Sequence, residues 1–157
     1  MREAKSAKEL PTKEYFEDVT AVAGGAAFGG LGGFYGCDLD DEGEYCYIQM
    51  FMPHDFNRLV SLALVFISNV TLADMTLTIT VNYCHRGQAY TTHNKTLVKT
   101  VAQAVDNYLQ ELDITDLVDT GPLDKNDYLG ISLSKAQGQT VDAIVLGARL
   151  KYTKRKK

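Results

Sequence analysis

The residues with the most chemical potential lie in one acidic run, Asp38-x-Asp40-x-Glu42-Gly43. Carboxylates at alternate positions followed by glycine match the first half of a calcium loop. There, close-set oxygens wrap a hard cation and glycine permits the sharp turn. Asp38, Asp40 and Glu42 are therefore candidate metal ligands. The position that should supply a bidentate carboxylate is Gln49, and the residues after it read as strand, so a solvated acidic turn competes with the cation site. Zinc is less well provided for. Cys84, His85 and His93 lie close in sequence but lack the paired short spacings of a structural site. No cofactor is expected.

Nucleophilic catalysis needs a nucleophile, a base and an orienting group in one place. His54-Asp55 and Cys84-His85 supply parts, but neighbours on a strand point to opposite faces. The glycines of 24–36 lack the Lys-Ser/Thr ending of a phosphate loop, and there is no Gly-x-Ser-x-Gly elbow. The chain is expected not to be an enzyme; an enzyme would need His54, Asp55 or His85 to converge in one pocket. Nine tyrosines and no tryptophan point instead to contact surfaces. Tyrosine buries ring area while its hydroxyl stays bonded. Tyr45 and Tyr47 fall opposite the presumed core face of their strand, and Tyr90 lies in a polar loop. These three are candidate stacking residues for a glycan or receptor.

The elements that must position these groups read as strands. Met75 to Tyr83 alternates apolar and small polar residues without a break, the mark of a strand with one buried face. Tyr45 to Met52 offers Cys46, Ile48, Met50 and Met52 as a core face. Arg58 to Ser68 is apolar on both sides, with Val60, Leu62, Leu64 and Phe66 on one and Leu59, Ser61, Ala63, Val65 and Ile67 on the other. Such a strand is covered twice, by a second layer or by another chain. Tyr128 to Ser134 turns Leu129, Ile131 and Leu133 inward. Val141 to Tyr152 is read as one long strand with Ile144, Leu146, Ala148, Leu150 and Tyr152 on one side. Residues 97–112 fit either two strands or one helix, and the strand reading is preferred. The Gly-rich segment 24–36 is expected to be irregular and to lie against its own sheet or a neighbour.

These elements predict an all-β fold, an antiparallel β-sandwich or jelly roll of seven to eight strands. A polar arm (1–14) precedes the domain (15–152), and a basic tail (153–157) follows it. The 157 residues, 45% hydrophobic and 23% charged, suit one globular domain. No apolar run approaches the length of a transmembrane helix, no membrane contact is expected, and the charged N-terminus predicts a cytoplasmic product. The triplets Asn69-Val70-Thr71 and Asn94-Lys95-Thr96 have glycosylation form but mean little without secretion. Net charge is −4, with five cations in Lys151–Lys157 and five carboxylates in Asp38–Glu44. Nucleic-acid contact is not expected beyond the basic tail. Reduced thiols are the default for the three cysteines, although Cys37 and Cys46 flank the acidic loop and could reach bridging distance.

The order of elements, with Phe51-Met52-Pro53-His54-Asp55-Phe56, Asn126-Asp127-Tyr128-Leu129-Gly130-Ile131 and Leu146-Gly147-Ala148-Arg149-Leu150-Lys151-Tyr152, resembles small jelly-roll structural proteins of phage virions, across residues 45–152. That resemblance implies a capsid- or tail-associated component of a symmetric assembly, located in the virion. Its partners would be copies of itself and other structural proteins. Contacts are expected through Phe28, Leu31, Phe34 and Tyr35 of the Gly-rich segment and through Leu59, Val65 and Ile67. The alternative reading is a carbohydrate- or receptor-binding β-sandwich using Tyr45, Tyr47 and Tyr90.

Overall fold

The alternating segments build two antiparallel sheets packed face to face, seen in a computed structural model that describes residues 10–68, 73–104, 107–137 and 142–155. One sheet holds β1 (Thr12–Asp18), β3 (Ala27–Leu31), β4 (Phe34–Leu39), β6 (Phe56–Ser68), β9 (Leu109–Asp113) and β11 (Ala143–Lys154). The other holds β2 (Ala21–Ala23), β5 (Tyr45–Phe51), β7 (Ala73–Cys84), β8 (His93–Ala104) and β10 (Tyr128–Lys135). Their orders are β3-β4-β11-β6-β9 and β2-β5-β10-β7-β8. β1 and β4 share the free edge of β11, β4 pairing with Ala143–Val145 and β1 with Gly147–Thr153.

The core lies between the sheets. Met75, Leu77, Ile79, Val81 and Tyr83 of β7 are buried, as are Cys46, Ile48 and Met50 of β5 and Leu129, Ile131 and Leu133 of β10. These are the faces that the alternation predicts. The chain that leads through β1 and β2 divides between the sheets. Val19 N–H bonds Leu146 O at 3.2 Å, whereas Thr20 N–H bonds Tyr47 O at 2.8 Å, so the chain crosses from one layer to the other between them.

Strand phase in β6 and β11 corrects the sequence reading. Between Lys151 and Tyr152 the partner on β6 jumps from Ser61 to Leu59, leaving Val60 as an extra, exposed residue. A bulge of this kind reverses the alternation. Leu59 is thereby turned into the core instead of offering a partner surface. A second bulge at Leu146 puts Ile144 and Leu146 on the outer face, while Ala148, Leu150 and Tyr152 point inward. The apolar outer face of β6 persists as Val65 and Ile67, buried against Leu146.

The Gly-rich segment is regular rather than irregular: β3 and β4 form a hairpin that turns at Gly32-Gly33, with Gly32 at φ +61. Residues 97–104 and 109–112 lie in strands, so no helix occupies their described part. Thr12 to Glu14, expected in the arm, pair with Lys151 to Thr153. Of the basic tail, Thr153 and Lys154 belong to β11, and Arg155 donates to Phe56 O at 3.0 Å and to Asp124 at 2.5 Å. The glycosylation-type triplet at Asn69 lies outside the described residues.

Candidate functional site

The outer face of the five-stranded sheet is defined by what the core takes. With the odd residues of β7 buried, Thr76, Thr78, Thr80 and Asn82 point outward. Their register partners on β8 are Thr100, Val98, Thr96 and Asn94. β5 contributes Tyr45, Tyr47, Gln49 and Phe51, and β10 contributes Tyr128, Gly130 and Ser132. None of these is Asp, Glu, Lys, Arg or His. The lysines of β8 belong to the opposite phase and bend to the sandwich edge, where Lys95 donates to Asp116 O at 2.5 Å and Lys99 to Asp113 O at 3.1 Å. Hydroxyl pairs stitch the face together, Thr76 to Thr100 at 2.9 Å and Thr80 to Thr96 at 2.7 Å.

A groove of about 310 Å³ opens on this face, lined by Gln49, Asn82, Cys84, Tyr90, Tyr128 and Gly130 together with Tyr83 and backbone. Its depth comes from Gly130, whose missing side chain leaves open space between two longer neighbours. Tyr128 is 56% exposed and rests against Phe51, ring centroids 5.1 Å apart; Tyr90, in the loop after β7, is 75% exposed. Asn94 donates to the Asn82 carbonyl, leaving the Asn82 NH2 as the donor not used in that bond. An aromatic wall, a shallow floor and two amides that donate and accept suit a flat, hydroxyl-rich ligand.

Tyr45 and Tyr47 lie on the same face, further along β5, their rings 6.4 Å apart and 22° from parallel. Only Tyr90 of the three predicted tyrosines lines the groove itself. Sequence reasoning missed Tyr128, Gln49, Asn82 and Gly130. The signal was the outward phase of Tyr128 and Gln49, which faces the groove only once the strand order is known.

The acidic run is arranged differently from the expected ligand set. Asp40, Asp41 and Glu44 bring their carboxylates together, while Asp38 stands on β4 and Glu42 in the turn. Buried Glu44 closes the turn, accepting the N–H groups of Asp40 at 2.8 Å and Asp41 at 2.9 Å. Burial, with the charges of Asp40 and Asp142, pushes the Asp38 carboxyl above its ordinary value. Cys37 on β4 and Cys46 on β5 form a disulfide that bridges the two sheets at the base of this loop, their Cα atoms 6.0 Å apart, correcting the expectation of reduced thiols. Cys84 is a free thiol.

The candidate catalytic groups are engaged separately. His54 contacts Asn126 Oδ1 at 2.6 Å, and Asp55 accepts bonds from Lys13 and Tyr152. His85 bonds the buried Asp127, and His93 stacks on Tyr83 at 4.6 Å. The zinc candidates Cys84, His85 and His93 form no ligand cluster among the described residues.

Apart from Leu59, which is buried in the core, the predicted contact residues belong to the opposite sheet. Phe28 and Tyr35 stack at 5.8 Å on the exposed hairpin. Phe34, Tyr35 and Val65 join Phe16, Leu109 and Leu146 around a depression of about 330 Å³. Arg149 and Glu111 pair nearby at 2.7 Å.

No family model and no curated protein matches the chain. Solved structures do. An exo-beta-1,3-galactanase from Phanerochaete chrysosporium, with galactose, superposes with a TM-score of 0.54 and 14% identity over 90% of this chain. This chain spans only 29% of that enzyme. An isomalto-dextranase of Arthrobacter globiformis T6, complexed with panose, gives 0.57 and 16% over 88% of this chain and 23% of its own. The CBM36-1 domain of a multidomain xylanase from the hindgut metagenome of Trinervitermes trinervoides gives 0.52 and 11%, over 88% of this chain and 96% of that one. At such identities the likeness is one of fold: the chain is a two-sheet antiparallel β-sandwich of the architecture found in a carbohydrate-binding module and in parts of larger glycoside hydrolases.

Proposed function

We propose that this chain is a non-catalytic carbohydrate-binding β-sandwich that holds its ligand on the outer face of the five-stranded sheet. The observation that carries this reading is the uncharged groove floored by Gly130, walled by Tyr128 and Tyr90 and flanked by Gln49 and Asn82. Sugar rings present an apolar C–H face for stacking and a hydroxyl edge that both donates and accepts, which is the complement of this wall and these amides. The module-sized xylanase domain spanned almost end to end supports it. The Cys37–Cys46 disulfide suits an oxidising compartment, where extracellular polysaccharide is met. The test is a glycan array with affinity electrophoresis. Binding to at least one glycan, lost in Tyr128→Ala and Asn82→Ala, is expected. Absence of binding to every glycan overturns the reading.

A subunit of a larger assembly, virion or otherwise, is a second reading. It is favoured by one observation, the apolar patch formed on the other sheet by Val65, Ile67 and Leu146 with the exposed Phe34 and Tyr35. Sedimentation equilibrium decides it. Self-association weakened by Phe34→Asp supports an assembly; a monomer at every concentration ends that reading.

A further inference from the structure

Resting on the carbohydrate reading, we infer that the ligand is an internal run of an uncharged polysaccharide, several sugars long, laid along β5 rather than a single terminal sugar or an acidic glycan. Three observations on the same face carry this.

The first is a file of aromatic side chains. Phe51 with Tyr128, then Tyr47, then Tyr45 occupy the outward positions of β5 and its neighbour, interrupted only by Gln49. Six residues separate the ends of the file, which at strand rise is about 20 Å. The near-parallel rings of Tyr45 and Tyr47 make the far end a continuous platform.

The second is what flanks the file. Ala21 and Ala23 pair with Tyr47 and Tyr45 on one side, and Ser132 and Gly130 stand opposite Tyr47 and Gln49 on the other. Between these short side chains Tyr45 is exposed and Tyr47 half-buried. Tyr45, at the far end of the file, is 41% exposed. A chain can therefore run past the groove instead of ending in it.

The third is charge. The outward residues of β5, β7, β8 and β10 that make this face include no cation to meet a carboxylate or sulfate, and the whole chain carries a net charge of −4. Desolvating an acidic sugar against tyrosine, threonine and amide groups would leave its charge unpaired. Uncharged hydroxyls lose nothing of the kind.

Calorimetry of the whole chain with uncharged oligosaccharides of increasing length, beside acidic polysaccharides such as polygalacturonate and heparin, tests the inference. Affinity is expected to rise by about tenfold or more from disaccharide to hexasaccharide as the second aromatic platform is engaged. Tyr45→Ala should remove that gain, and a melting temperature equal to the parent's reports that the variant is folded. Equal affinity for short and long ligands, or acidic glycans bound as well as neutral ones, overturns this inference and leaves the carbohydrate reading standing. If no glycan of either kind binds, both fall.

Discussion

Gln49 and Asn82 face each other across Gly130, each in register with it on opposite sides of β10. Two strand spacings separate their backbones by about 10 Å, and the residue between them has no side chain. The amides thus frame a trough rather than meeting. No local pattern in the sequence couples these three positions, which lie on three strands from distant parts of the chain. The strand order β5-β10-β7 couples them.

Filling that trough separates binding from folding. A Cβ built on Gly130 meets nothing within 4 Å, and Gly130 adopts no left-handed conformation. Gly130→Val should fold normally, since a β-branched residue suits a strand better than glycine does. Its melting temperature should equal or exceed that of the parent. Glycan affinity should fall by about tenfold or more, as the valine occupies the floor on which a ring would rest. Thermal melting and calorimetry on one preparation check both parts.

The disulfide should matter more for stability than for the face. It closes a loop with a sequence separation of 9 at the end of the sandwich that carries the acidic turn. Chain-entropy estimates for so short a loop give roughly 2–3 kcal/mol. Reduction should therefore lower the urea midpoint by a corresponding amount, measured with and without a phosphine reductant. The uncharged face should stay formed below the new midpoint, with glycan affinity within about twofold.

Single faces were legible wherever the alternation ran unbroken, as in Met75–Tyr83 and in Cys46-Ile48-Met50. It misled where a bulge inserted one residue. Val60 and Leu146 look like regular members of their strands, and only the partner's register reveals them as extra. The Gly-rich hairpin was hidden for another reason: glycine contributes nothing to an apolar–polar pattern, so Gly29, Gly30 and Gly36 erase the periodicity of strands that are nevertheless paired. Tyr45, Tyr47 and Tyr90 could be chosen by their chemistry alone. Gln49 and Asn82 are ordinary polar residues until Gly130 is set between them.

Tyr152 should be the last tyrosine to ionise, with its stabilisation lost at alkaline pH. Its hydroxyl donates to Asp55 Oδ1 at 2.9 Å, while Lys13 Nζ donates to Oδ2 at 2.6 Å. Burial first, then the bond to Asp55 and its charge, push the phenol up to about 12 from 10.0. A raised phenol pKa means that the fold favours the protonated form. Its contribution is full below pH 10 and disappears between pH 10 and about 12. Asp55 behaves oppositely. The Lys13 bond and then the Tyr152 bond hold its carboxyl below 3.8, so its contribution is present above that value and lost as pH falls through the folded one. Tyr152→Phe should remove the latest step of the ultraviolet phenol titration and let the Asp55 carboxyl rise toward its ordinary value by NMR.

Two glycines should tolerate nothing larger, and a third should tolerate alanine. Gly36 packs on β11 so closely that a Cβ would lie 2.2 Å from Val145 O, and at Gly147 it would lie 2.1 Å from Glu17 O. Both obstacles are backbone, held by strand pairing, and cannot swing away as a side chain could. The two positions bracket the point where β4 and β1 meet along the edge of β11. A methyl group at Gly36 would prise β4 from β11, and one at Gly147 would prise off β1 just before the chain crosses between the sheets at Val19 and Thr20. Gly36→Ala and Gly147→Ala should each cost about 3 kcal/mol or more, the upper range for forcing atoms into a packed site. Gly33, at the hairpin turn, would place its Cβ in open space and has no positive φ, so Gly33→Ala should change stability by no more than about 0.5 kcal/mol. Urea denaturation of the three variants measures the contrast. Comparable stability in all three would mean that the edge of β11 is looser than its hydrogen-bond register implies, and the split pairing of β1 and β4 along it would have to be redrawn.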